Sequence, residues 1–241
     1  MASRTSPPLR TADSRARVLD AAVRCVARFG ISKTTVEDVA REARLSRATL
    51  YRIFPGGRDE IVETMVATEM RAYFARVAAR LEGVEDYEER IVVAMVVGGE
   101  ELVAHRALRF VLAHEPGLVL PHVSFAELDR LLETASAFFA PYLAGLLAPE
   151  DARRAGEWVT RLVLSHVACP TGAVDPWSVL PTNGGAVGTP FALHLVPLPE
   201  ERARWLVRTF VMPGIRVLTA GASRTAPSPV RQSTQPSEVR A

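Results

Sequence analysis

The residues best suited to chemistry lie in a short segment near the N-terminus. Ser46 is a good helix N-cap, and it predicts a short helix from Arg47 to Ile53. We expect the exposed face of this helix to carry two guanidinium groups, a hydroxyl and a phenol, from Arg47, Thr49, Tyr51 and Arg52. Arginine can bond guanine edges bidentately, and threonine can contact a thymine methyl or a phosphate. This face suits the major groove of DNA, although the same arginines would also serve simply to solvate a helix.

Two preceding helices are predicted to position this segment. Apolar residues recur at three- and four-residue steps from Ser14 to Phe29, and Gly30 then ends the helix. A capping box, either Thr34 with Glu37 or Thr35 with Asp38, begins a second helix that ends near Ala43 or Arg44. Helices this short are marginal alone, so we expect them to pack on the first helix. The packing residues would be Val36, Val39, Ala40, Leu50 and Phe54.

A long fourth helix is predicted after this tri-helical unit. Pro55-Gly56-Gly57 breaks the chain, and Arg58 opens a helix that reaches about Leu81. The arrangement of caps, turn and break then matches a known pattern. It resembles the helix-turn-helix signature of the tetracycline-repressor (TetR) family, over about residues 15–62. The matching segments are Thr34–Ala40, Ala43–Ser46, Thr49–Pro55 and Asp59–Ile61.

The chain departs from the family pattern in two places. The family usually has glycine where this chain has Arg44, so either this residue adopts a left-handed conformation or the turn shifts. The Gly56-Gly57 pair makes the next connection one residue longer than is common. Arg58 therefore occupies the place of the lysine that usually binds phosphate in the family.

The resemblance implies roles for individual residues. Thr34 and Thr35 would hold a phosphate at the start of the second helix. Arg47 and Thr49 would face base edges, Tyr51 would bond a phosphate, and Arg52 would do either. Arg58 would clamp the DNA backbone. With the cap residue included, the implied DNA-binding set is Thr34, Thr35, Ser46, Arg47, Thr49, Tyr51, Arg52 and Arg58.

The remaining sequence predicts an all-α fold. We expect a disordered basic arm (1–13), a helix-turn-helix domain (14–60), a larger helical ligand-binding and dimerisation domain (61–221) and a disordered tail (222–241). The larger domain would begin with the fourth helix and end with a long loop over 170–198 and a last helix. The predicted helices are Tyr87–Val103, bent or ended at Gly98-Gly99; about 107–114; Phe125–Leu147, kinked at Pro141; 149–168; and Glu200–Met212, ended by Pro213-Gly214.

The larger domain is expected to dimerise and to sense a ligand. The resemblance implies a homodimer in which the last two long helices pair across a two-fold axis, through Trp158, Leu162, Trp205 and Phe210. The apolar segment 91–97 and nearby aromatic residues favour a pocket for a small, mainly apolar effector, with the 170–198 loop as a lid. Candidate lining residues are Tyr73, Phe74, Met95, His105, Arg109, Phe138, Tyr142 and His166. The same residues could instead fill a plain core, and the partner could be a protein.

Charge supports a nucleic-acid partner for the front of the chain only. The net charge is +2, but residues 1–60 carry twelve Lys and Arg against seven Asp and Glu, and residues 61–221 carry fourteen against nineteen. A basic front before an acidic body indicates that only the front meets a polyanion, although an excess of this size also arises by chance. The N-terminus has no signal-peptide pattern, and the longest apolar run, 91–97, is too short to cross a bilayer. We therefore expect a cytoplasmic protein that does not enter a membrane.

Other classes of function find little support in the sequence. Cys25 and Cys169 do not make a disulfide framework, and the five histidines lack metal-ligand spacing, so we expect no cofactor or metal. No nucleophile elbow or phosphate loop is present, which leaves an enzyme as a remote alternative. The prediction is a ligand-responsive transcriptional regulator, a repressor, that binds a palindromic operator in double-stranded DNA as a homodimer. A helix-turn-helix regulator that senses no small molecule is the main alternative.

Overall fold

The structure, a computed structural model, describes residues 8–115, 125–168 and 195–224. These ranges are all-α, as predicted, and they contain no β-strand. None of their helices is long and apolar enough to span a membrane. The helices are α1 (Pro8–Phe29), α2 (Val36–Glu42), α3 (Arg47–Ile53), α4 (Gly57–Leu81), α5 (Tyr87–Ala104), α6 (Arg106–His114), α7 (Phe125–Phe139), α8 (Pro149–Ala168), α9 (Glu200–Leu206) and α10 (Met212–Arg224). A 3₁₀ turn (Ala140–Leu143) follows α7, and a π-helical turn (Val207–Val211) joins α9 to α10.

The first core is built on the apolar face of α1. Val18, Ala22 and Val26 are buried there, against α2, α3 and the start of α4. The five residues predicted to hold the short helices in place are all buried, which confirms the tri-helical packing; they are Val36, Val39, Ala40, Leu50 and Phe54. Short helices gain stability mainly from such packing.

This first core extends beyond the tri-helical unit. Met65 of α4 and Ala107 and Val111 of α6 belong to the same buried cluster. Packing is therefore continuous across residue 60, where the domain boundary was predicted. That boundary stays a prediction. Helix α6 thus joins the helix-turn-helix to the rest of the molecule.

The second core surrounds α5. Ile91, Val92 and Met95 are buried against α8, α9, the π-helical turn and α10. Gly98 and Gly99 were predicted to bend or end this helix, but α5 continues through them to Ala104. They instead permit close packing, because a Cβ at Gly98 would lie 2.9 Å from the Tyr73 hydroxyl oxygen and one at Gly99 would lie 3.3 Å from Val167.

Two helix ends in the N-terminal and central parts differ from the prediction. Helix α1 begins at Pro8, so the expected disorder of residues 8–13 is wrong. Proline is favoured in the first turn of a helix because its missing N–H needs no partner there. Helix α7 ends at Phe139 and not at Leu147, because the chain tightens into the 3₁₀ turn, whose second residue is Pro141.

The C-terminal helix also departs from the prediction. Pro213-Gly214 does not end it, and α10 runs on to Arg224. The π-helical turn just before Pro213 contains one residue more than an α-helical turn. In it, the Met212 N–H donates a hydrogen bond to the Val207 carbonyl. Such a turn accommodates a proline that cannot donate a hydrogen bond and whose ring would clash with a preceding carbonyl. The rest of the arm (1–7), most of the 170–198 loop and the tail from 225 lie outside the described residues.

Candidate nucleic-acid interface

The start of α2 is fixed by the second of the two candidate capping boxes. The Thr35 hydroxyl oxygen accepts a hydrogen bond from the Asp38 N–H at 3.2 Å, and the Thr35 N–H donates to the Asp38 carboxylate at 3.3 Å. The Thr35 hydroxyl also donates to that carboxylate at 2.6 Å. This last hydrogen bond lowers the pKa of Asp38. The hydroxyl of Thr35 is therefore already used, and its phosphate contact remains a prediction.

Thr34 does not have the accessibility that a phosphate ligand needs. Its side chain is buried, and its hydroxyl donates to the Gly30 carbonyl at 2.6 Å. This hydroxyl closes the turn between α1 and α2, and the phosphate contact at Thr34 remains a prediction.

The turn between α2 and α3 keeps the length that the family pattern requires. Arg44 has φ 55°, the left-handed conformation that was one of the two expected outcomes. The Leu45 N–H then bonds the Ala40 carbonyl at 2.9 Å, and Ser46 caps α3 by accepting from the Thr49 N–H at 3.1 Å. Ser46 and Thr49 also share a hydroxyl–hydroxyl hydrogen bond of 2.9 Å.

One face of α3 is turned to solvent. Arg47, Tyr51 and Arg52 are exposed and Thr49 is half-buried, while Leu50 and Ile53 pack inward. The Tyr51 ring lies against Gly57, where a Cβ would come within 3.2 Å of it. The four side chains of α3 that were predicted to contact DNA thus lie away from the buried Leu50 and Ile53, which pack the helix onto the first core.

An acidic side chain that the sequence analysis did not foresee lies on this face. A carboxylate oxygen of Glu37 is 2.8 Å from Nη1 of Arg47. Both side chains are solvent-accessible, with relative exposures of 61% for Arg47 and 45% for Glu37. The predicted α3 face contains no acid of its own, and the carboxylate comes from the first turn of α2.

Arg58 contacts protein backbone more than solvent. Its Nε donates to the Thr34 carbonyl at 3.0 Å and its Nη2 donates to the Ile31 carbonyl at 2.6 Å. Its Nη1 pairs with Asp59 at 3.0 Å. The guanidinium therefore links α4 to the α1–α2 turn. The predicted contact between Arg58 and the DNA backbone stays a prediction, and it would involve a side chain that already has these protein partners.

Glu115, just after α6, holds the same turn from the other side. Its two carboxylate oxygens accept hydrogen bonds from the Ile31 N–H at 2.6 Å and the Ser32 N–H at 3.0 Å. Gly30 has φ 83°, and a Cβ on it would lie 2.5 Å from the Glu115 carboxyl carbon. The left-handed conformation favours glycine here, and a Cβ would also force the Glu115 carboxylate to shift. Nothing in the local sequence signals a contact between residues so far apart.

The aromatic residues predicted to line a ligand pocket are brought together. Tyr73, Phe74, Phe138 and Tyr142 form a chain of ring contacts with centroid separations of 5.2, 4.6 and 5.4 Å. The Tyr73 hydroxyl donates to the Gly98 carbonyl at 3.3 Å. Burial raises the pKa of Tyr73 to about 12.

The other four predicted ligand residues lie elsewhere. Met95 is buried in the second core, and Arg109 is exposed on α6. His105 caps α6 by accepting the Leu108 N–H at Nδ1, and its Nε2 lies 3.0 Å from Glu69 of α4. His166 of α8 contacts Arg202 of α9, and its pKa is lowered by burial and by that cation. The eight residues therefore do not line one site.

The cavity beside the aromatic cluster is small. It measures about 20 Å³, with room for about one water molecule. Its walls come from α4, α5, the end of α7, the 3₁₀ turn and α8, and they include Arg90, Phe139 and Tyr142. An organic effector at this place would have to displace the surrounding side chains.

The four residues predicted to form a dimer interface lie on α8, α9 and the π-helical turn. Trp158, Trp205 and Phe210 are about half exposed, with relative exposures of 50%, 46% and 48%, and Leu162 is half-buried. The Trp205 and Phe210 rings meet edge to face at 5.4 Å, and the Arg202 guanidinium lies 4.6 Å from the Trp205 ring centroid. This leaves an aromatic surface in contact with solvent in the single chain.

Glu101 and His105, two residues of a type that enzymes use for acid–base catalysis, are engaged in structural contacts. Glu101 pairs with Arg76, and His105 makes the cap and ion pair just described. Cys169 lies outside the described residues. In the part of the chain that the structure describes, no group of three or more His, Cys, Asp or Glu side chains is arranged to hold a metal ion.

A known protein family matches the N-terminal part of the chain. The family model described as "Bacterial regulatory proteins, tetR family" matches residues 18–65, from α1 into α4. The N-terminal domain is a TetR-family domain. The predicted resemblance, over about residues 15–62, is therefore confirmed.

Curated relatives are similar to part of this chain. An uncharacterized HTH-type transcriptional regulator of Mycobacterium bovis is 33% identical over 93 residues, which is 38% of this chain and 49% of the relative. A protein of the same description from Mycobacterium tuberculosis (strain CDC 1551 / Oshkosh) is 31% identical over 91 residues, 38% of this chain and 46% of the relative. The matches thus span about half the length of these relatives.

One solved structure shares the fold over most of the chain. The TetR family repressor AlkX from Dietzia sp. strain DQ12-45-1b, implicated in biodegradation of n-alkanes, superposes with a TM-score of 0.56 at 19% identity. The match covers 90% of this chain and 100% of that one. The described residues therefore share the fold of that structure, in which a helical N-terminal domain precedes a larger helical part.

Proposed function

We propose that this protein is a transcriptional regulator that binds specific duplex DNA through α3. The observation that carries the proposal is the exposed face of Arg47, Tyr51 and Arg52 on a helix whose other side is buried in a TetR-family domain. Guanidinium groups suit guanine edges and phosphates, and the phenol suits a phosphate. Ser46 and Thr49 lie at the exposed N-terminal end of the same helix and add hydroxyl groups.

Selection from a randomised duplex library tests this proposal. We expect the full chain to enrich an inverted repeat, because each α3 reads only a few base pairs. Sequencing of the bound fraction gives the site. An enriched pool that is indistinguishable from the starting library would contradict sequence-specific binding.

We also propose that the chain acts as a homodimer through the aromatic surface on α8, α9 and the π-helical turn. The half-exposed Trp158, Trp205 and Phe210 support this, because aromatic side chains are enriched at protein interfaces. A two-fold dimer would present two α3 helices to half-sites about one turn of DNA apart. Such a dimer would recognise a palindromic operator in double-stranded DNA.

Control of DNA binding by a small, mainly apolar effector is the finer part of the proposal. The aromatic cluster of Tyr73, Phe74, Phe138, Phe139 and Tyr142 supports an apolar site, and the adjoining cavity of about 20 Å³ gives it a starting volume. The effector would open that space, and it would act only if it bound one arrangement of the helices better than the other. In a repressor, the favoured arrangement would release the operator.

Two links connect such a site to the DNA-binding face. Helix α4 runs from Arg58, beside the α1–α2 turn, to Tyr73 and Leu81 beside the aromatic cluster. Helix α6 packs Ala107 and Val111 into the first core, and Glu115 then binds the turn itself. Movement of either helix would shift α2 and α3.

A regulator that senses no small molecule is the second candidate function. The small size of the described cavity favours it. Thermal-shift screening of the full chain against apolar metabolites separates the two candidates. A ligand that raises the Tm and releases the selected operator supports sensing, and a screen in which none does so supports the second candidate.

A further inference from the structure

The ion pair between Glu37 and Arg47 is unusual in its position. It joins the first turn of α2 to the first residue of α3, on the face proposed to meet DNA. A carboxylate is unfavourable beside a polyanion, since like charges repel. Solvent-accessible ion pairs of this kind contribute little to folding. The pair therefore calls for an explanation other than stability.

The N-terminal ends of α2 and α3 have opposite effects on the charges of Glu37 and Arg47. Arg47 is the first residue of α3, where the positive end of the helix dipole disfavours a cation. Glu37 lies in the first turn of α2, where the dipole favours a carboxylate. The 2.8 Å contact thus places a well-stabilised anion next to a poorly placed cation and fixes the direction of the guanidinium.

We infer that Glu37 determines specificity at the DNA interface by presenting, together with Arg47, a paired acceptor and donor to one G·C base pair. This inference rests on the proposed function. The carboxylate occupies one amino group of Arg47 and leaves the others for guanine O6 and N7, both acceptors. Its own remaining lone pairs can accept from cytosine N4, the donor on the same major-groove edge.

The pair would also exclude other bases. A carboxylate directed at an acceptor, such as thymine O4, stays desolvated and unpaired, which is costly. Holding Arg47 in one orientation lowers the conformational entropy that would otherwise be lost on binding. Glu37 therefore weakens binding to DNA in general while it strengthens discrimination at one position.

A charge-neutral variant separates these two effects. We expect Glu37→Gln to bind a random duplex roughly two- to fivefold more tightly, since one repulsive charge is lost. We expect the same variant to lose about tenfold of its preference for one base pair in each half-site. Arg47→Ala should lose preference at that same base pair, and the double variant should lose little more than either single variant.

Glu42→Gln is the matched control. Glu42 also lies on α2 and pairs with an arginine, Arg24, at 2.6 Å, but this partner belongs to α1 and not to α3. The Glu42→Gln substitution removes the same charge and the same kind of ion pair as Glu37→Gln. Its selection profile should equal that of the wild type.

The test is randomised-duplex selection with the wild type and these variants, with anisotropy titrations on a random duplex. Glu37→Gln with an unchanged profile, or with a change at a base pair that Arg47→Ala does not affect, would overturn the inference and leave the proposed function standing. Equal changes in the selection profiles of Glu42→Gln and Glu37→Gln would also overturn the inference and leave the proposed function standing. A wild type that enriches no site would overturn the proposed function and this inference together.

Discussion

Arg44 carries the turn between α2 and α3 in a conformation that costs a residue with a Cβ about 1–2 kcal/mol. The family usually places glycine there, and this chain keeps the turn without it. The Leu45–Ala40 hydrogen bond and the Ser46 cap on either side hold the backbone in place. The strain is thus local and is balanced by contacts on both sides.

Replacing Arg44 with glycine is predicted to stabilise the protein. Relief of the strain exceeds the extra entropy of an unfolded glycine, so we expect a gain of about 0.5–1 kcal/mol in the free energy of unfolding. Urea denaturation of the full chain measures it. Arg44→Ala keeps the Cβ and should give no such gain; equal gains from both variants would mean that strain is not the cause.

Arg58 illustrates a side chain whose structural contacts compete with its expected role. Its hydrogen bonds to the Thr34 and Ile31 carbonyls join α4 to the α1–α2 turn. We expect Arg58→Met to lower the free energy of unfolding by about 1–3 kcal/mol, because charged donors make the stronger hydrogen bonds. Urea denaturation of Arg52→Met is the comparison, since Arg52 is exposed on α3. If both variants unfold like the wild type, the Arg58 contacts do not stabilise the turn.

At the scale of elements, α6 is the connection that the sequence did not reveal. Its core residues pack under the helix-turn-helix, and Glu115 accepts two backbone N–H groups of the α1–α2 turn. A carboxylate bound in this way restrains the turn that leads into α2. The position of α6 therefore bears on the position of α2 and α3.

Loss of the Glu115 carboxylate is predicted to loosen this turn. We expect Glu115→Ala to speed amide hydrogen exchange in a peptide that covers residues 30–35, because Ile31 and Ser32 lose their acceptors. Mass spectrometry of the full chain measures the rate. Glu63→Ala, on an exposed part of α4, is the control and should leave that peptide unchanged. Unchanged exchange in Glu115→Ala would remove α6 from the proposed coupling.

What could be predicted from the sequence depends on how far apart the contacting residues are. The Ser46 cap and the extent of α3 were predictable, and the α2 cap could be narrowed to Thr34 or Thr35, because these hydrogen bonds join residues three or four positions apart. The bonds of Arg58 to the turn and of Glu115 to Ile31 span 24 to 84 residues, and no local pattern encodes them. The continuation of α10 past Pro213 was missed because a π-helical turn leaves no clear periodicity.

The same distinction between local and long-range contacts applies to the candidate site. The α3 face could be predicted because one short helix carries all of it, whereas Glu37 enters from another helix. The effector residues were chosen by type, and the fold sends Met95 and His166 to different surroundings from the aromatic cluster. Residue type alone does not determine which side chains meet across helices.

At the scale of the whole molecule, the proposed dimer depends on the aromatic surface of α8, α9 and the π-helical turn. We expect Trp205→Glu to give a monomer, because a charge would be buried at the centre of that surface. Sedimentation velocity at micromolar concentration measures the state. Val66→Glu is the matched control, since Val66 is 48% exposed on α4, outside the surface. A wild-type monomer, or a Trp205→Glu dimer, would contradict the proposed interface.

Whether α3 reads sequence in duplex DNA can be measured in one titration of the full chain. Fluorescence anisotropy would compare a selected duplex with a shuffled duplex of the same composition, each over a series of salt concentrations. The account predicts much tighter binding of the selected duplex at every salt concentration, with affinity for both falling steeply as salt rises, because phosphate contacts release counterions. Equal affinity for the two duplexes at all salt concentrations would contradict it.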